Sequence, residues 1–469
     1  MEKRNKIKNL SQNALLFTIS GFGTRIISFF LVPLYTYVLS TDEFGSVDLV
    51  TTTVQLLIPV LTINIQDAVL RFSLDKNYKA EDAICVGFKI IGASSALLGV
   101  ILFGLDYSGI IPLESNYMFF LYLSFTSGAL NNNLSMYLKA KDQVKTLAVW
   151  GITNTAVTCL FNLLLLLGMH LGINGYMIAY VSGTIVADVG MFLSGTIMKD
   201  LKSSKSSGEI AHEMVKYSAP LIANSLGWWI NNASDRYILT YFCGAAVNGI
   251  YAVSYKIPSI LSALQSIFYN AWSISSITEF DENDEDGFIG ETYTVYSSAS
   301  FLACSLIMLF NVTIAHILYS KNFFVAWKYV PFLLLGTAFN GLGLFNGCIF
   351  AAAKKTKEIS ITTVVSALIN TALNFILIPL VGAYGAAFAT MIGYFSIWLM
   401  RTLRLKRVIR MNVNWKKQVL MMIVLLMQCI AASANERFLY QLPFVLLLFV
   451  IQRKTILIIF DKFVLLLKR

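Results

Sequence analysis

Gly172–Gly183 reads GINGYMIAYVSG, and Gly382–Gly393 reads GAYGAAFATMIG. Gly172, Gly175, Ala179 and Gly183 recur as Gly382, Gly385, Ala389 and Gly393 at identical spacing, 210 residues later. Each set follows an apolar segment that carries an asparagine, Asn162 or Asn374. Small residues three and four apart make one bare stripe along a helix, against which a second helix can approach closely. Packing is the only role the pattern assigns to them. An earlier pair points the same way: Tyr37–Gly45 (YVLSTDEFG) and Tyr241–Gly249 (YFCGAAVNG) agree in length and in both ends at an offset of 204. Two halves of six helices each are the simplest account, and both start on the same side, so the repeat is parallel rather than inverted.

The segments around these repeats are apolar throughout. Of 469 residues 57% are hydrophobic and 13% charged, against about 25% charged in an ordinary soluble domain, and the mean hydropathy is +0.67. A bilayer core takes roughly 20 apolar residues per helix, which leaves room for about 14 transmembrane helices. Hydropathy and turn residues place them at 13–38, 46–70, 83–103, 117–138, 146–168, 173–196, 215–242, 248–272, 292–316, 327–352, 359–380, 383–403, 418–434 and 438–452. The expected architecture is an all-α integral membrane protein. It has an N-terminal six-helix lobe (1–205), a C-terminal six-helix lobe (206–410), and two additional transmembrane helices with a basic cytoplasmic tail (411–469). No polar stretch exceeds about twenty residues, too few for a core of its own, which excludes a catalytic domain outside the membrane. The run from Asn13 to Leu39, behind Lys3, Arg4, Lys6 and Lys8, is too long for a signal-peptide core and is expected to stay as the first span.

With a cytoplasmic N-terminus, alternate loops collect Lys139, Lys141 and Lys145, then Lys354, Lys355 and Lys357, and a basic cluster from Arg401 to Lys417. That side gathers 29 of the 36 Lys and Arg, while the other has Lys321, Lys328 and Arg437. The positive-inside rule therefore puts both termini in the cytoplasm. The net charge of +10 is mostly topological. Its scatter over short loops excludes a nucleic-acid groove. The acidic stretch Glu279–Asp286 (EFDENDED) reads as a solvated loop. Six cysteines lie in separate apolar segments and three histidines are unpaired in sequence, so neither a disulfide framework nor a metal site is expected. No Gly-rich phosphate loop exists for a nucleotide. Asp42 and Glu43 could be taken for the metal pair of a glycosyltransferase, but their loop of some eight residues leaves no room for donor and acceptor sites.

Polar residues inside spans are expensive, so their helical phase marks faces that see water or protein. Three spans carry such a stripe: Thr18, Gly21, Arg25 and Ser28; Asp48, Thr52, Gln55, Pro59, Thr62 and Gln66; and Lys256, Ser259, Ala263, Ser266, Asn270 and Ser273. Four cations, Arg25, Lys89, Arg236 and Lys256, sit within spans at about 2.5–3.5 kcal/mol each if unpaired at the centre. They can pair with Asp67, Asp188 and Asp235, and Lys89 can snorkel to a nearby end. Arg25 lies about a dozen residues from either helix end, which disfavours snorkelling. Asp235 and Arg236 point about 100° apart, so Asn232, not Asp235, shares the arginine's face. Asn131, Asn132 and Asn133 cannot all face one way and are read as interhelical hydrogen bonders or solute contacts. The thirteenth span has a lone mid-span Gln428 and the fourteenth no charge before Arg453, so both look peripheral and lipid-facing.

On these residues the sequence resembles the polysaccharide-transporter family of oligosaccharide-lipid flippases (Wzx-type), within the multidrug/oligosaccharidyl-lipid/polysaccharide exporter superfamily. The resemblance covers about residues 10–405 and is most specific at Gly21–Gly45 (GFGTRIISFFLVPLYTYVLSTDEFG), at DRYILTYFCG from Asp235, at NGIYAVSYKIP and YNAW up to Trp272, and at Asn374–Ala389 (NFILIPLVGAYGAAFA). It implies two lobes around a central cavity in a bacterial cytoplasmic membrane, flipping a polyprenyl-pyrophosphate-linked oligosaccharide by alternating access. Arg25, Arg236 and Lys256 would attract the pyrophosphate. Thr18, Ser28, Thr52, Gln55, Thr62, Gln66, Asn232, Asp235, Ser259, Ser266 and Asn270 would line the cavity and hydrate the sugars. No catalytic residue, metal or cofactor is implied beyond a coupling proton or sodium ion; membrane lipids, a polysaccharide polymerase and chain-length machinery are the expected partners. The alternatives are a cation-coupled multidrug antiporter of the same superfamily, with Asp67 and Asp188 as weak carboxylate candidates, and a membrane glycan polymerase, for which no external loop is long enough.

The orientation has a direct test. Single cysteines introduced at Lys141 and Lys355 are expected to react with a membrane-impermeant maleimide only from the cytoplasmic side, and one at Arg437 only from outside.

Overall fold

The computed structural model describes residues 29–109, 114–194, 196–204 and 208–467, and every regular element among them is helical. Thr18, Arg25 and Ser28 lie outside the described residues. Nine helices among the described residues are long and apolar enough to cross a membrane. Ser115–Ala140, Leu221–Cys243 and Pro258–Thr278 are also long enough but carry more polar side chains and are not among the nine. Contacts divide the chain into two compact units, Met1–Trp229 and Ile230–Arg469.

In the first unit, α1 (Val32–Val38) ends at Leu39 and α2 (Thr41–Leu61) starts from Ser40. Ser40 Oγ accepts the Glu43 N–H at 3.2 Å and Glu43 Oε2 accepts the Ser40 N–H at 2.8 Å, a reciprocal cap. Asp42 and Glu43 thus belong to a helix start, where negative charge is favoured. The expected second span, 46–70, is broken. Ile63 (φ 54°) and Asn64 (φ 53°) are left-handed, and α3 (Ile65–Leu74) begins anew beyond them. Asn64 stabilises the break by donating from Nδ2 to Ser225 Oγ at 2.8 Å. The polar stripe therefore runs in phase only to Thr62, and Gln66 sits on another helix.

Next come α4 (Ala80–Ser108), α5 (Ser115–Ala140) and α6 (Val144–Asn162), which widens into a π-turn over Leu163–Gly168, followed by α7 (Gly172–Ser194). The asparagine run in α5 bonds between helices in part: Asn131 Nδ2 donates to Asp188 Oδ1 on α7 at 2.7 Å. A short α8 (Ile197–Ser203) leads to α9 (Gly208–Ser218), which packs on α3 and α4 and so belongs with this unit.

The boundary between units falls inside α10 (Leu221–Cys243). The second unit continues through α11 (Ala245–Ser254), α12 (Pro258–Thr278), α13 (Phe288–Leu309), α14 (Asn311–Leu318), α15 (Val330–Ala352), α16 (Thr356–Val381), α17 (Ala383–Leu405), α18 (Trp415–Ala434) and α19 (Leu442–Leu467). The repeat is visible at element starts. Gly244 caps α11 where Ser40 caps α2, and Gly382 (φ 58°) opens α17 where Gly172 (φ 53°) opens α7. Positive φ is cheap only for glycine. Past each opening glycine the new helix crosses the end of the previous one, with Gly175 against Leu165 and Gly385 against Leu377.

Four expectations need correction in this unit. The expected span 248–272 is interrupted at Tyr255–Ile257, so Lys256 lies in the turn before α12 and not on the stripe of that helix. The acidic loop is not simply solvated, because Asp284 is 7% exposed and accepts the N–H groups of Ile289 (2.9 Å) and Gly290 (2.8 Å) at the start of α13. In the same loop the N–H groups of Glu285 and Asn283 hold the Asp281 carboxyl below its ordinary range, so these two hydrogen bonds weaken as pH falls through that lowered value. The thirteenth span is not peripheral: on α18, Gln418 donates to Ser297 Oγ at 2.7 Å, and fully buried Gln428 exchanges hydrogen bonds with Ser305 at 2.6 and 2.9 Å.

Arg401, assigned above to a cytoplasmic basic cluster, is 1% exposed within α17. Its guanidinium donates to Gly343 O on α15 (2.7 Å) and, on α16, to Thr362 Oγ1 (3.1 Å), Thr363 Oγ1 (3.0 Å) and Ile359 O (3.4 Å). One side chain thereby fastens three helices. Arg401→Leu is expected to lower stability by roughly 3 kcal/mol, since buried acceptors lose a charged donor, read as a fall of several degrees in the melting temperature of the purified protein. Arg401→Lys is expected to restore little of it, because a compact ammonium lacks the planar fork that reaches several acceptors.

Candidate functional site: a cation held over tyrosine in the second unit

Residues 231–236 of α10 place Asn231, Asn232, Asp235 and Arg236 within two turns. Asn231 is 4% exposed and donates to Thr363 O at 3.1 Å, which anchors the segment to α16. Asp235 is 2% exposed. Its Oδ2 accepts three hydroxyls, those of Tyr251 (2.6 Å), Tyr255 (3.1 Å) and Thr390 (3.3 Å). Burial of a carboxylate in hydrocarbon is tolerable only with such donors. Asp235, expected to line a cavity, therefore sits beneath the site and fixes the tyrosines.

Tyr255 is the centre of the arrangement. Its hydroxyl is held by Asp235, its ring meets that of Tyr251 edge to face at 5.3 Å, and the Arg236 guanidinium lies over it, 5.3 Å from the centroid. Ring and cation attract, so Arg236 is held in place while staying half-exposed. Asn232, on the same face, accepts the Tyr394 hydroxyl at 2.7 Å. Lys256 follows Tyr255 directly in the turn and is half-exposed. Arg236 is thus placed over the Tyr255 ring, and Lys256 is the next residue in the chain after that tyrosine. A guanidinium offers up to five donors in a planar fork, the geometry that recognises phosphate oxygens.

The remaining candidates divide. On α12, Ser259 and Asn270 are exposed and Ser266 half-buried, so they form an open polar face. In the first unit, Gln55 is exposed and Gln66 partly so, but Thr52 and Thr62 are 3% and 1% exposed. Thr62 donates to Ile58 O at 2.6 Å, and Thr52 O accepts the Trp229 indole at 3.0 Å. These two threonines pack rather than line. Asp188 bonds Asn131, Asp67 opens α3, and Lys89 is exposed on α4, all within the first unit. Tyr251, Tyr255, Tyr394 and Thr390 were missed in the sequence because tyrosine counts as apolar in a span. Their signal was the pair Tyr251 and Tyr255 at i, i+4, ending on the residue before Lys256.

A family model described as "Polysaccharide biosynthesis protein" matches residues 10–274, a stretch that includes Arg236, Tyr255 and Lys256. No curated protein matches the sequence. Among solved structures, the lipid II flippase MurJ in its inward closed conformation aligns with a TM-score of 0.71 at 15% identity, covering 96% of this chain and 100% of that chain. The inward-facing conformation of a multidrug resistance MATE family transporter of the MOP superfamily gives 0.60 at 11% identity, covering 82% and 95%. The outward-facing conformation of such a transporter gives 0.58 at 12%, covering 85% and 96%. At these identities the likeness establishes a common fold.

The carboxylate beneath the site separates support from contact. Asp235→Ala is expected to destabilise the protein by roughly 3 kcal/mol, because several buried hydroxyls lose their acceptor. Asn232→Ala, which removes one bond to Tyr394, is expected to cost about 1 kcal/mol. Thermal unfolding of the two variants in detergent measures both.

Proposed function

Because the chain belongs to the polysaccharide biosynthesis protein family, we propose that it flips a polyprenyl-pyrophosphate-linked oligosaccharide repeat unit across the bacterial cytoplasmic membrane, for assembly of a surface polysaccharide. The physical task is to carry a pyrophosphate and a polar glycan through hydrocarbon while the polyprenyl tail stays in lipid. The observation that carries the reading is Arg236 fixed over the Tyr255 ring, with Lys256 next in the chain. Two cations suit an anion with several oxygens, and the aromatic ring holds the arginine in position. Arg25, on the first span, joins them in this reading. The open serine and asparagine face of α12 hydrates the sugars, and the transporter opens alternately to either face of the membrane. A proton or sodium gradient drives the step, both termini are cytoplasmic, and a polymerase with its chain-length machinery receives the product.

A multidrug antiporter is the second reading, favoured by one feature: Asp188 on α7, 8% exposed and bonded to Asn131, is a carboxylate within a span of the kind that cation coupling uses. Depletion of the protein in its native host separates the two. Accumulation of one complete lipid-linked repeat unit, read by mass spectrometry of extracted polyprenyl lipids, is the expected outcome; normal lipid pools with altered sensitivity to cationic drugs favour the antiporter. Arg236→Ala and Lys256→Ala are each expected to slow export about tenfold or more, from a lost charge-assisted contact of about 1.5–3 kcal/mol. Unchanged export in both Arg25→Ala and Lys256→Ala overturns the assignment of the cations.

A further inference from the structure

In the second unit α12 packs on α13 and α15, and between them lies an open recess of about 110 Å³. Its wall is aromatic. Phe268, Trp272, Tyr296 and Phe345 lie nearly parallel, with Trp272 and Phe345 4.2 Å apart at 12° and Phe268 and Tyr296 4.3 Å apart at 19°. The polar lining consists of Ser262, Gln265, Ser266 and Asn340, with no charged side chain among the described residues that line it. Tyr269, 39% exposed, stands at the mouth.

Gln265 is the unusual member. It is 7% exposed, and its Nε2 has no hydrogen-bond partner among the described residues. The amide lies across α15 at Gly341, where a Cβ would overlap both it and the Tyr296 hydroxyl. A buried amide left without a partner is costly, and the bare backbone at Gly341 is what keeps room for it. A phosphate or a metal would ask for charge, which the lining lacks. A wholly apolar solute would leave the amide dry. An aromatic wall with uncharged donors and acceptors at its edge suits a ring that is apolar on its faces and hydroxylated around its rim. The space is that of several waters, enough for one such ring and not for an oligosaccharide.

The geometry points to a monosaccharide subsite: one sugar ring of the transported glycan lies against the Phe268 and Tyr296 wall, with Gln265 and Asn340 bonding its hydroxyls. The subsite rests on the glycan-transport reading and deepens it, since it lies on α12 with Ser266 yet uses residues outside the expected polar stripe. Its amide takes two acceptors and one or two donors, which matches neighbouring hydroxyls of a pyranose.

The test uses the full-length protein in lipid nanodiscs, with saturation-transfer NMR against free hexoses, N-acetylhexosamines, deoxyhexoses and uronic acids as probes. At least one sugar is expected to show transfer at its ring protons, and Gln265→Leu to weaken that binding about tenfold or more. Because Nε2 has no partner to lose, Gln265→Leu is expected to keep or raise the melting temperature, whereas an amide with a merely structural role would lower it. Gly341→Ala, which pushes a methyl group into the amide, and Asn340→Ala at the half-buried rim are expected to give the same loss of binding, and they decide the matter if Gln265→Leu folds poorly. No transfer from any probe to the wild-type chain, or binding that survives Gly341→Ala and Asn340→Ala, overturns the subsite. The two readings fail separately. Sugar binding without accumulation of a lipid-linked repeat unit on depletion leaves the subsite and overturns glycan transport; accumulation without sugar binding does the reverse.

Discussion

Hydrocarbon offers a buried polar group no water to fall back on, so each such group in a span must find its partner within the protein. Much of the second unit is arranged by that demand. Arg401 meets it with carbonyls and hydroxyls on two neighbouring helices, without a carboxylate. Asp235 meets it with three hydroxyls, and Gln428 with both polar atoms of Ser305. Each solution ties together segments distant in sequence, so the polar groups that are costly to bury also set which helices are neighbours. The same rule makes Arg236 and Gln265 stand out. One is a cation held by a ring and left half-open, the other an amide whose nitrogen the described residues do not satisfy.

The small-residue ladders add a second means, close approach of the backbones. Ala179 and Ala389 are completely buried, and the glycines around them bring α7 onto α6 and α17 onto α16, close enough at Gly393 for Ser366 Oγ on α16 to donate to its carbonyl at 2.7 Å. Dispersion between closely approaching backbones takes the place of the hydrophobic drive that lipid cannot supply. Close packing therefore builds the hairpins, and hydrogen bonds such as those of Arg401 fasten them to their surroundings.

Much of the fold was legible in the sequence. Element type, the repeat and its starting points follow from apolar length and glycine spacing, which are local properties. Helix breaks were not legible, because Ile63 and Asn64 adopt left-handed backbone through a tertiary bond to Ser225 that no local pattern announces. Arg401 was hidden for another reason: near the end of a span, a cation that reaches water and one that is clamped by neighbouring helices look alike in one dimension. The candidate site was half legible. Charges at Asp235, Arg236 and Lys256 were visible, but the tyrosines that hold Asp235 and Arg236 were filed with the hydrophobic residues, and Gln265 lay one position off the polar stripe beside Ser266.

The paired hairpins also differ in one respect. From Asn162 to Gly172 is ten residues and from Asn374 to Gly382 is eight. The first hairpin takes up the surplus in its π-turn and in the three residues after it, one of them left-handed His170. The halves have diverged in length as well as in side chains, at the point where a wide turn absorbs extra chain without shifting the helices that follow. Homologous segments in the two halves are thus interchangeable only as whole hairpins, cut beyond the turn; a splice within it would carry a two-residue slip and rotate every downstream side chain by about 200°.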